Sequence, residues 1–231
     1  MKGTIIAIMS IMLLNSAAAA QETAKAKPDT SGKRPQFEYF AGGGLVIPHK
    51  TSYLAEYYDG LYNVTAGIGY KKWDRNTVIL EAAYNEFGLD SKKYMNSFNL
   101  EGSAKNGNIS IYSLIFGLKR RISKQSGDFQ SYIKINFWEL HQRFEEIEIT
   151  FAIEDTIINE VGDEEMVKRD STYVLPKTWT SSLTAQFSVG AEYRFFGNWY
   201  VYGEAKYCMG FATGEIINYI PINIGILYRR K

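Results

Sequence analysis

Leu183-Thr184-Ala185-Gln186-Phe187-Ser188-Val189-Gly190-Ala191-Glu192-Tyr193-Arg194-Phe195 alternates without a break between apolar residues and small, polar or charged ones. Side chains on a strand point to opposite faces in turn, so a period of two marks a sheet with two unlike sides. The same pattern runs from Phe37 to Tyr228, with no helical stretch after the first residues. A sheet that long has to close on itself or stack. The spacing predicts strands near 36–47, 60–72, 77–88, 108–121, 129–141, 181–196, 199–211 and 219–229.

The links between these strands alternate in length. Residues 72–76, 123–128 and 197–198 are tight and carry turn residues, whereas 48–59, 89–107 and 142–180 are longer, followed by a short link near 212–218. All turns therefore fall at one end of the predicted barrel, with both strand termini, and all loops at the other. A transmembrane β-barrel has this layout, with short periplasmic turns and longer extracellular loops.

The first 20 residues fit an export signal: Met1-Lys2, an apolar run from Ile5 to Leu14, and small residues Ala18 to Ala20 before Gln21. The apolar run is short of the roughly 20 residues that span a bilayer as a helix. Residues 21–35 lack large apolar side chains and contain Pro28 and Pro35, which predicts a flexible periplasmic leader. The barrel is expected over 36–231. A formal net charge of +1 supplies no basic field for nucleic acid, and a single cysteine, Cys208, excludes an internal disulfide.

Two features orient the faces. The apolar side carries too many rings, among them Tyr62, Tyr70, Tyr112, Phe116, Phe187 and Trp199, to fit an eight-strand interior. Gly42, Gly44, Gly67, Ser113, Gly117 and Ser188 on the other side suit a narrow lumen. The rings also sort into two girdles around aliphatic residues such as Leu80, Leu114, Val189 and Ile224, as on a lipid-facing wall. Phe137 is placed in the loop-end girdle. On this pattern, residues 36–231 resemble the small outer-membrane β-barrel family of the OmpA/OmpX type. The resemblance implies an outer-membrane location, outer-membrane lipids as surroundings, the barrel-assembly machinery as a biogenesis partner, and a role in adhesion or envelope maintenance. Asn223, Gly225 and Tyr228 match part of the family's terminal-strand signal, and Arg229-Arg230-Lys231 depart from it.

Inside, Glu38, Glu81, Glu192 and Glu204 are predicted to face Lys119, Lys134, Arg194 and Lys206 as an ionic cluster filling the bore. Tyr132, Trp138, Tyr200 and Tyr202 are assigned to the same inward face, and the basic residues near the turns, including Arg121 and Arg229, to solvent or headgroups. Outside, residues 142–180 carry nine acidic residues between Phe144 and Glu165. There Ile147, Ile149, Phe151 and Ile153 continue the alternation toward Glu154 and Asp155, and Ser171 to Leu175 can pair back. This predicts a projecting acidic hairpin with an open sheet edge for an extracellular protein partner. If the hairpin instead joins the wall, the barrel has ten strands. A narrow ion or small-solute channel and a soluble exported lipocalin-like carrier are the competing functions.

No cofactor, metal site or catalysis is expected. The acidic spacing fits no EF-hand. Of the two histidines, His49 lies in the first loop, and His141 follows Glu139 on an outward face with no matching serine evident. The protein is read as a monomer.

Overall fold

The computed structural model describes residues 36–71, 73, 75–122, 128–158, 164–212 and 215–230. The expected signal peptide and leader lie outside these residues. The wall begins with β1 (Gln36–Pro48), helix α1 (Tyr53–Tyr57), β2 (Tyr58–Lys71), β3 (Asn76–Leu89) and helix α2 (Ser91–Ser97). There follow β4 (Gly102–Asn106), β5 (Ile109–Arg121), β6 (Phe129–Phe144), β7 (Ile147–Ile158) and β8 (Glu164–Leu175). The chain ends on β9 (Thr178–Phe196), β10 (Trp199–Ala212) and β11 (Glu215–Arg230).

Eight strands close an antiparallel up-and-down barrel in the order β1-β2-β3-β5-β6-β9-β10-β11, and β11 returns to β1. The seam runs from Phe37 opposite Arg230 to Pro48 opposite Tyr219. Close approach there depends on glycine, since a Cβ at Gly44 would run into the Ile222 carbonyl. The turn between β9 and β10 is Gly197-Asn198, with Gly197 at φ +51°, a conformation glycine adopts without strain. The excursion between β6 and β9 does not enter the wall. Pairing of β6 with β9 stops at Phe144 opposite Thr178, and β7 and β8 join β4 in a separate three-stranded sheet. Eight strands, not ten, make the barrel.

Two of the three long links hold short helices, where alternation predicts none. Ser52 caps α1 by accepting from the Leu54 N–H, and Asp90 caps α2 by accepting from those of Lys92 and Lys93. In β5, the odd residues from Ile109 to Arg121 are buried, whereas the even ones from Tyr112 to Arg120 are exposed. Leu80, Leu114, Val189 and Ile224 stand exposed on the outer wall, with Tyr70, Phe129, Tyr193 and Trp199 toward the turn end and Tyr62 and Tyr112 toward the loop end. Because β6 runs on to Phe144, Phe137 belongs to the middle of the wall and not to the loop-end girdle. An apolar outside around a charged inside reverses a lipocalin, whose apolar face lines a ligand cavity. Among the described residues no helix is long and apolar enough to cross a membrane.

Candidate functional site

The bore is filled in tiers. Nearest the turns, Glu38 and Glu192 face three cations, Lys119, Arg121 and Arg229. Lys119 Nζ lies 2.9 Å from Glu192 and 3.3 Å from Glu38; Arg121 Nε donates to Glu192 at 3.0 Å and Arg229 Nε to Glu38 at 2.9 Å. Further pairs join Arg121 to Glu38 and Arg229 to Glu192. Above this tier, Lys134 bridges Glu81 at 2.9 Å and Glu204 at 2.7 Å, and Lys206 pairs with both of the same carboxylates. The Tyr132 hydroxyl donates to Glu204 at 2.9 Å and the Thr65 hydroxyl to Glu81 at 2.9 Å. Every carboxylate meets at least two cations. That is the condition under which buried charge is tolerable, because each ion taken from water costs several kcal/mol unless paired and hydrogen-bonded.

Seven of the eight expected cluster residues are thus brought together, and Arg194 is not. It has the inward parity of its strand but lies past the rim, where a bulge at Trp199/Tyr200 shifts the register and its guanidinium pairs with Asp128, Nε at 2.8 Å. The cluster instead recruits Arg121 and Arg229, which proximity to turns had assigned to the exterior. Their parity was the available signal: Arg121 is two residues beyond Lys119. Tyr132, Tyr200 and Tyr202 are buried inside as expected. Trp138 is not; its backbone sits at φ +154° and its side chain is exposed.

Toward the loop end the filling turns apolar. Val46, Tyr58, Phe87, Ile109, Ile111, Leu140, Ile217 and Tyr219 surround Leu54, which α1 inserts among them. Cys208 is a buried, free thiol in the same group. Gln142 and Asn218 tie the β1–β2 loop and its helix α1 to the wall through Tyr53 and Thr51. The bore is therefore stopped twice, by ion pairs below and by a hydrophobic plug above.

Beyond the mouth, β7 and β8 form the expected hairpin, from Ile147 opposite Leu175 to Ile158 opposite Glu164. Its tip, with Glu160 and Asp163, lies outside the described residues. Glu154 and Asp155 pair opposite Lys168 and Val167 in the backbone register. The β7 edge is not open near its base, because β4 covers Ile147 to Phe151. Ile147 and Ile149 are buried with Met95 and Ala104, so they form the sheet's core and offer no contact surface. Ile153 is exposed, as are Met166, Tyr173 and Val174 on β8, whose outer edge has no neighbour among the described residues. Asp90, which caps the supporting helix, also meets the Lys93 ammonium at 3.4 Å. The Lys93 N–H, followed by that ammonium, holds the Asp90 carboxyl below the usual range.

On the outer wall, His141 lies opposite Ser181 in the β6–β9 register. Its Nδ1 is 2.8 Å from Ser181 Oγ, and its Nε2 is 3.5 Å from Glu139. Sequence reasoning missed this serine because a 33-residue excursion separates the two strands, and nothing along the chain reveals their register. His49 pairs with Thr51 at 2.9 Å and packs edge-on to Tyr207. Among the described residues no group of three or more His, Cys, Asp or Glu side chains is gathered to hold a metal.

No protein-family profile matches the chain, and no curated protein matches it. Among solved structures it is similar to Neisserial surface protein A, at 10% identity and a TM-score of 0.49, over 84% of this chain and 95% of that one. It is similar to the N-terminal β-barrel domain of Pseudomonas aeruginosa OprF, at 13% identity and a TM-score of 0.42, over 85% and 96%. A third likeness is to Ail, the attachment invasion locus protein of Yersinia pestis, at 12% identity and a TM-score of 0.42, over 85% and 97%. The barrel architecture rests on the chain's own strand pairing.

Proposed function

We propose that this chain is a monomeric outer-membrane barrel with a closed bore, whose working surface for adhesion or envelope maintenance is the sheet β4-β7-β8. One observation carries the reading: exposed aliphatic and aromatic side chains wrap the wall while the charged residues pair inside it. Only hydrocarbon surroundings make that arrangement favourable, because an apolar belt of this extent in water would drive association. The open β8 edge supports surface interaction, since unpaired strand groups accept a further strand.

Two measurements test it. The purified protein should migrate differently on a detergent gel before and after heating, and should stay folded only with an amphiphile present. A folded monomer in plain buffer would overturn the membrane reading. In planar bilayers the two stoppers predict no steady conductance steps, and steps that respond to neutralising Lys134 or Glu204 would restore the channel.

A further inference from the structure

Glu139, His141 and Ser181 stand together on the outer wall. β6 sets Glu139 and His141 two residues apart on one face, and β9 brings Ser181 directly across from His141. The imidazole has a hydroxyl 2.8 Å from one nitrogen and a carboxylate 3.5 Å from the other. With its proton on Nε2, toward Glu139, the ring accepts the Ser181 hydroxyl on Nδ1. A nucleophile, its base and a group orienting that base are the three parts of a hydrolytic relay.

The surroundings point to a substrate. Glu139 pairs laterally with Leu114 and Leu183, which are 49% and 70% exposed, so a carboxylate interrupts a lipid-facing row. Ionisable groups in such places are costly and mark function by default. Beside His141, Tyr112 stacks on Trp179 with ring centroids 6.2 Å apart. Rings of this kind sit at headgroup level, the depth at which the acyl ester bonds of membrane lipids lie. Arg143 follows two residues after His141, with its guanidinium 5.5 Å over the Trp179 ring. Its guanidinium also pairs with Glu145 at 2.6 Å and takes no part in the relay.

We propose that Ser181, His141 and Glu139 hydrolyse fatty acyl esters of membrane amphiphiles. This rests on the outer wall facing lipid. Ser181 Oγ bonds to the ester carbonyl carbon as its proton passes to His141 Nδ1. The carbon–oxygen bond to the leaving alcohol breaks, and that alcohol takes the proton from His141. Water then attacks the acyl-serine, giving a proton to His141. The acyl–Oγ bond breaks, the fatty acid departs, and Ser181 regains its proton. Ser181 and His141 are the catalytic residues, and Glu139 is a positioning residue.

The test uses the full chain with a heat-shift gel as the fold control. In detergent, a fluorophosphonate probe should label the wild type and leave Ser181→Ala unlabelled. Fatty acid release is followed by mass spectrometry from vesicles of phosphatidylethanolamine and, separately, from vesicles containing lipopolysaccharide. Release from either supports the proposal, and the productive arm names the lipid. His141→Ala should lower release by at least about 100-fold, and Glu139→Gln should lower kcat with KM unchanged. A wild type that shifts on heating yet takes no label and releases nothing from either vesicle overturns the site. Equal labelling of Ser181→Ala overturns it too. A protein that fails to shift sinks the membrane reading instead, and labelling in detergent still reports on the relay.

Discussion

At the scale of single residues, position in the bore decides what a charge is worth. Glu81 accepts from Lys134 and Lys206 and from the Thr65 hydroxyl with almost no exposure. Replacing it by methionine leaves two buried ammonium groups sharing the one carboxylate of Glu204, an uncompensated buried charge that should cost about 3–5 kcal/mol and lower the urea midpoint of the barrel in detergent. Arg194→Ala removes an ion pair of the same charge type at the open rim, where water and salt screen it, so that midpoint should stay where it is. Strand parity predicts both residues to face inward, and it is right for Glu81. It fails for Arg194 because that residue stands at the turn-end rim, where Asp128 holds its guanidinium, and alternation reports the face of a residue but not its height along the bore. Arg229 shows the opposite error, a residue with inward parity assigned to the exterior because it lies at the turn end.

Elements outside the wall depend on local chemistry of another kind. α2 is seven residues long, too short to hold itself, and it is fixed by the Asp90 cap and by Met95 against Ile147 and Ile149. Asp90→Ala should cost about 1 kcal/mol of that element's stability. The carboxyl is held below its usual range when α2 is formed, so its contribution is complete at neutral pH, above the unfolded value. It is lost as pH falls through the lowered folded value. Protection of the Lys92 and Lys93 amides against exchange, taken relative to the intrinsic rate at each pH, should therefore fall on acidification in the wild type, and should be low at every pH in Asp90→Ala. The hairpin was legible in sequence because β7 continues the alternation of β6. Its packing was not, since the helix that buries Ile147 and Ile149 comes from 50 residues earlier, beside a strand too short to declare itself.

The whole molecule separates into a wall that closes without the projection and a projection that leans on the mouth. β6 and β9 pair continuously up to Phe144 and Thr178. Excising 147–175 and joining the strands by a short turn should leave the heat shift intact and abolish binding to a surface partner. The same excision strips β4 and Met95 of their cover, so limited proteolysis should cut within 90–106 in the shortened protein and spare that segment in the wild type. Architecture at this scale was the most legible of all, because eight strands repeat one simple period. The outward relay was the least legible, because it depends on which strands become neighbours.

Arg229, on β11, serves both carboxylates of the lower tier, and β11 is also the strand that seals the seam against β1. Until that strand docks, Glu38 and Glu192 keep Lys119 and Arg121 but lack the guanidinium that reaches both of them from the closing strand. Sealing the cylinder therefore also completes the hydrogen bonding at its base, and the last strand is clamped by charge as well as by its ladder.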